Sequence, residues 1–144
     1  MRWTTGVVDA FDATMHARLT EAEQLIGATF ELGIQIAEPF AIASLTAQAF
    51  VVGIFAGRHE EMLPILQHPM DTQESLEEAF RIAHAIVCAE LGRHEVPRAL
   101  LGEAMRRGIG AISDDILRST TLLGYAILAI ETGNVEAAAW VYPE

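Results

Sequence analysis

Gly57-Arg58-His59-Glu60 recurs as Gly92-Arg93-His94-Glu95, 35 residues later, and the reading of this duplicated tetrapeptide decides the fold. Aligning on it exposes two fainter copies, "ARLTEAE" from Ala17 and "TGNVEAAA" from Thr132. The anchors Ala17, Gly57, Gly92 and Gly133 then stand 40, 35 and 41 residues apart. Each anchor follows an apolar stretch of about four helical turns and precedes a second helical stretch. Glycine suits such a turn, because a helix ends most easily on a left-handed residue and glycine adopts that conformation without Cβ strain. Ala17 is the exception. Glu60 and Glu95 fall in the first turn of the following helix, where a carboxylate favours the positive end of the helix dipole.

Working outward, the chain reads as helical throughout. It has no Asn-Gly hairpin turn, and its apolar residues recur at steps of three or four instead of alternating. The spacing predicts an amphipathic helix over Glu74–Leu91, with Leu76, Phe80, Ala83, Val87 and Leu91 on one stripe and Glu77 and Arg81 paired at i, i+4 on another. Thr20 with Glu23 has the spacing of a capping box. Ser113, Asp114 and Asp115 supply cap-forming chemistry before the apolar run from Ile116. Breaks fall near 37–39, 68–72 and 108–113, each with Pro or Gly. Five positions after each anchor stand Ala22, Met62, Pro97 and Ala138, and nine after stand Ile26, Leu66, Leu101 and Tyr142, which are read as inward faces. The fold class is all-α, a single repeat domain of about four stacked helical hairpins, with units near 1–36, 37–71, 72–112 and a truncated 113–144.

Composition excludes several function classes. Twenty acidic against nine basic residues give a net charge of −11, which repels phosphate backbones and anionic lipid, so no direct nucleic-acid partner and no membrane is expected. Cys88 is the single cysteine and no signal-like apolar run opens the chain, which fits a cytoplasmic location. Pro39–Gly57 is 19 residues without a charge, but Ser44, Thr46 and Gln48 interrupt it, and it is read as a buried helix.

The candidates for chemistry are few. His-Glu opens the H-E-x-x-H zinc signature, but Leu63 and Arg98 occupy the place of the second histidine. His84 and Cys88 stand at i, i+4, and two soft ligands do not complete a tetrahedral site. No phosphate-binding glycine loop or nucleophile elbow is present, so no catalytic residue, metal or cofactor is assigned. His59 and His94 have no task in this account, and changing both to alanine is expected to leave the fold intact. The repeat register places Val51, Ile54, Ile82, Ile86, Leu123 and Ile127, all apolar, along the inner face of the first helices. Either the neighbouring helices bury these positions, or they line a groove that accepts an amphipathic helix.

The units "ARLTEAEQL", "AGRHEEMLPIL", "LGRHEVPRALL" and "TGNVEAAAWVYPE" resemble tetratricopeptide-like repeats. Their order is similar to the C-terminal helical region of large actinobacterial signalling regulators, which join a cyclase-like or STAND-type ATPase module to such repeats and often to a LuxR-type DNA-binding domain. The chain departs from the pattern in repeat length, in lacking tryptophan at the start of most first helices, and in Pro64 and Pro97. The resemblance implies a right-handed superhelix serving as a non-enzymatic interaction or sensing module of a cytoplasmic regulator. Its partners would be protein segments or other domains of the same chain, with a homo-oligomer and a small-molecule effector left open. The alternative it implies is an inducer-binding domain of a LuxR-type ATPase regulator. The ending "AAAWVYPE" lacks a polar capping helix, and on this reading the parent protein continues past Glu144 and carries any enzymatic activity elsewhere.

Overall fold

A computed structural model describes residues 2–38, 40–67, 74–115 and 117–142. Pro39, the break read at 68–72 and the apolar start at Ile116 lie outside these residues. Among the described residues there are helices and no strand: α1 (Trp3–Met15), α2 (Leu19–Gln35), α3 (Ala41–Phe55), α4 (His59–Leu66), α5 (Glu74–Glu90), α6 (Glu95–Arg107), α7 (Arg118–Thr132) and α8 (Val135–Val141), with a 3-10 turn at Ile109–Ala111. None of these helices is long and apolar enough to cross a membrane.

All four anchors are left-handed: φ is 56° at Ala17, 69° at Gly57, 73° at Gly92 and 63° at Gly133. Each N–H donates to the carbonyl three residues back, and the next residue's N–H donates to the carbonyl five back. At the third anchor these bonds run from Gly92 to Ala89 and from Arg93 to Cys88, both 2.8 Å. This double closure satisfies carbonyls that a helix end would otherwise leave bare. Ala37, φ 52°, closes α2 in the same way.

Helix starts follow the sequence less closely. The α2 helix begins at Leu19, ahead of the Thr20–Glu23 spacing, and its N-cap Arg18 makes no side-chain cap bond. Glu23 instead accepts from the Arg58 guanidinium. At the entry to α7 the Asp115 carboxylate accepts from the Leu117 N–H at 2.8 Å, and the Asn134 side-chain oxygen caps α8 by accepting from Ala137 N–H at 3.0 Å. Pro97 sits in the first turn of α6, where no helical hydrogen bond is lost, whereas Pro64 lies inside the eight-residue α4.

The chain forms two compact units, Met1–Arg58 and His59–Glu144. In the first, α1, α2 and α3 all pack on one another, largely through small residues: Gly6, Ala10 and Ala13 of α1, Ala22 and Gly33 of α2, and Ala41 and Gly53 of α3 are buried. A Cβ on Gly33 would stand 2.6 Å from Ala41 Cβ and 2.7 Å from Trp3 Nε1, so glycine is what lets the three helices meet. Gln48 of α3 donates to the Val7 carbonyl of α1 at 2.9 Å.

In the second unit each helix packs on the next, and alternate helices also pack, α5 on α7 and α6 on α8. The core holds Ile82, Leu100, Leu101, Tyr125, Leu128 and Val141, with Trp140 edge-on to Tyr125 at 5.6 Å between ring centroids. Met62, Leu66, Pro97 and Leu101 face inward as the register predicts, but in α8 the buried residues are Ala137 and Val141, and Tyr142 is exposed. The buried pair of α8 thus stands one residue earlier than the register places it, with Ala138 packed against the edge of the core.

Candidate functional site

The polar side chains of the second unit converge where α5, α6 and α7 meet. Glu78 of α5 is mostly buried, and its carboxylate accepts from the Tyr125 hydroxyl of α7 and from Arg107 Nη2 of α6 at 2.5 Å. One turn along α5, Arg81 pairs with Glu103 of α6 at 2.5 Å and reaches Glu78 at 3.5 Å. Burial, reinforced by the Glu78 carboxylate, holds the Tyr125 hydroxyl protonated well above the usual phenol range. The hydrogen bond from Arg81 holds the Glu103 carboxyl below the usual carboxylate range. The recess beside the cluster, lined by Glu78, Arg107, Ile112, Ser113, Asp115 and Thr121, measures about 20 Å³. That is room for roughly one water, far below the ~300–1,000 Å³ of small-molecule sites. The cluster is a clamp between three helices.

His84 and Cys88 do meet on α5: Cys88 Sγ lies 3.7 Å from His84 Nε2, and Gln67 Nε2 lies 3.1 Å from the same nitrogen. Burial lowers the affinity of the imidazole for a proton and pushes the thiol up, so neither group is activated as a thiolate or cation. Among the described residues no group of three or more His, Cys, Asp or Glu side chains is arranged to hold a metal ion. His59 and His94 are half-buried, and His59 Nε2 and His94 Nδ1 are shielded from solvent without a hydrogen-bond partner among the described residues.

The six apolar positions read from the repeat do not share one environment. Val51 is exposed and Ile54 half-buried, both on α3 in the first unit. Ile82 is 4% exposed and belongs to the core of the second unit. Its Cγ2 fills the space that a Cβ on Gly124 would occupy, so the close approach of α7 to α5 turns this position from groove to core. Ile86 is half-buried against the same core. Leu123 is 56% exposed and Ile127 half-buried, and Ile130, which the register did not single out, is 74% exposed.

Leu123, Ile127 and Ile130 advance by four and three residues, which places them on one stripe of α7. The opposite face of α7 carries the buried Thr121, Gly124, Tyr125 and Leu128. The signal for Ile130 was present in the sequence as the next step of the same stripe. This rigidly backed apolar stripe is the candidate interaction surface. Comparison with protein-family models, with curated proteins and with solved structures finds no match to the chain.

Proposed function

We propose that the chain is a non-enzymatic interaction module of tetratricopeptide-like build, belonging to a cytoplasmic signalling or transcriptional regulator, and that it receives a helical segment of another protein along α7. The observation that carries this reading is the Leu123–Ile127–Ile130 stripe, apolar and turned outward on a helix whose other face is locked into the core. The recurring turns and the packing of alternate helices support the stacked-hairpin architecture. Residues 59–144 carry fourteen acidic and six basic residues, a net −8, so the favoured occupant has an apolar face with arginine or lysine beside it.

Selection from a displayed library of amphipathic helical peptides tests the reading. Binders with basic flanks are expected, and Leu123→Glu is expected to weaken them by about tenfold or more. A selection that yields no binder, or binders indifferent to Leu123→Glu and Ile130→Glu, would overturn it.

A further inference from the structure

The strap between α6 and α7 holds an accessible hydroxyl between two guanidinium groups. Gly108, φ 83° and ψ 154°, turns the chain out of α6 in a conformation that a side chain would strain. Past the 3-10 turn, Ile112 has an extended backbone and packs against the core, and Ser113 stands exposed outside any helix. Arg107 is the last residue of α6 and Arg118 the first of α7. Ser113 lines the same small recess as Arg107. Arg118 Nη1 donates at 2.6 Å to the Ile112 carbonyl, whose carbon is bonded to the Ser113 nitrogen. Both arginine side chains are open to a ligand, with 37% and 31% of their surface exposed.

The acids facing this point are already engaged or turned to water. Glu78 accepts from Arg107, Arg81 and Tyr125, and Asp115 accepts from the Leu117 N–H. The Asp114 side chain is 97% exposed and lies 3.8 Å from Arg118 Nε. A guanidinium carries five N–H donors, and the hydrogen bonds here run from Nη2 of Arg107 and Nη1 of Arg118. A neutral hydroxyl makes little use of the donors that remain. A phosphoryl group brings three acceptor oxygens and close to two negative charges.

We infer that Ser113 is a phosphorylation site, and that its phosphoryl group seats between Arg107 and Arg118 and staples the strap to the end of α6 and the start of α7. The phosphoryl donor is ATP. The catalyst is a serine/threonine kinase with a basic substrate groove, because Asp114 and Asp115 directly follow the serine. In the transfer the bond from the γ-phosphorus to the ADP oxygen breaks and the bond to Ser113 Oγ forms, while the hydroxyl proton passes to the base of the kinase. The site stands whether or not α7 receives a helix.

Two measurements on the full chain are the test. The first treats the protein with ATP and an acid-directed serine/threonine kinase and locates phosphate by mass spectrometry after trypsin. Cleavage after Arg107 and Arg118 releases residues 108–118, GIGAISDDILR, in which Ser113 is the single hydroxyl side chain. Phosphate is expected on that peptide. The second places phosphoserine at 113 genetically and follows its phosphorus NMR signal against pH, folded and in urea. The second phosphate pKa, about 6 when free, is expected to fall by roughly half a unit on folding, and Arg118→Gln is expected to reverse part of the fall. A 108–118 peptide left unmodified, a phosphate that titrates no lower in the folded chain, or one indifferent to Arg118→Gln would overturn the inference.

Discussion

At Ala17 and Ala37 an alanine occupies the left-handed backbone region where Gly57, Gly92 and Gly133 do the same work at other turns. A Cβ added to any of those three glycines meets no atom within 4 Å, so the cost of a side chain there is backbone strain alone. Ala17→Gly and Ala37→Gly are therefore expected to raise stability by about 0.5–1 kcal/mol each, and Gly92→Ala or Gly133→Ala to lower it by about 1 kcal/mol. Urea unfolding midpoints check both signs. Spacing alone revealed the turn at Ala17. Ala37 had no such copy to align with, and nothing about an alanine announces a positive φ. His84 makes a second residue-scale prediction. Burial keeps its ring neutral in the folded protein where the unfolded chain takes up a proton, so its contribution is complete above roughly pH 6.5 and is lost as pH falls below that. Replacing it with glutamine is expected to flatten the loss of stability between about pH 7 and pH 5, measured by urea titration at each pH.

Among the helices, α2 shows how packing and propensity can be separated on one element. Gly33 faces Ala41 and Trp3 with no room for a methyl group, whereas Gly27, on the exposed side of the same helix, has no atom within 4 Å of an added Cβ. Gly33→Ala is expected to destabilise the first unit by about 1–3 kcal/mol. Gly27→Ala is expected to stabilise it by roughly 0.5–1 kcal/mol, because only helix propensity changes. Thermal unfolding of the two variants gives opposite shifts if glycine at 33 is a packing device. The outline of α5 was legible from its periodicity, but the start of α2 was not. The Thr20–Glu23 spacing fits a capping box, yet the carboxylate is drawn to an arginine 35 residues away, a pairing that no local pattern reveals. The same limit explains Ile82: its burial depends on the absence of a side chain at Gly124 on another helix.

Across the whole chain, the four left-handed turns were written in the anchor spacing, but the division at Arg58–His59 was not, because it falls at one of those turns and not between them. Nor was the Glu78–Tyr125 contact, which joins residues 47 apart and leaves no trace in spacing. Composition gave the total charge, and the division into units shows how it is shared: −8 of the −11 belongs to residues 59–144 and −3 to residues 1–58. The two tryptophans are divided in the same way, Trp3 among the first three helices and Trp140 against Tyr125. The chain thus contains two natural fluorophores with separate addresses. Trp3→Phe leaves an indole emission that reports only on residues 59–144, and Trp140→Phe leaves one that reports only on residues 1–58, so each unit can be followed optically without a label.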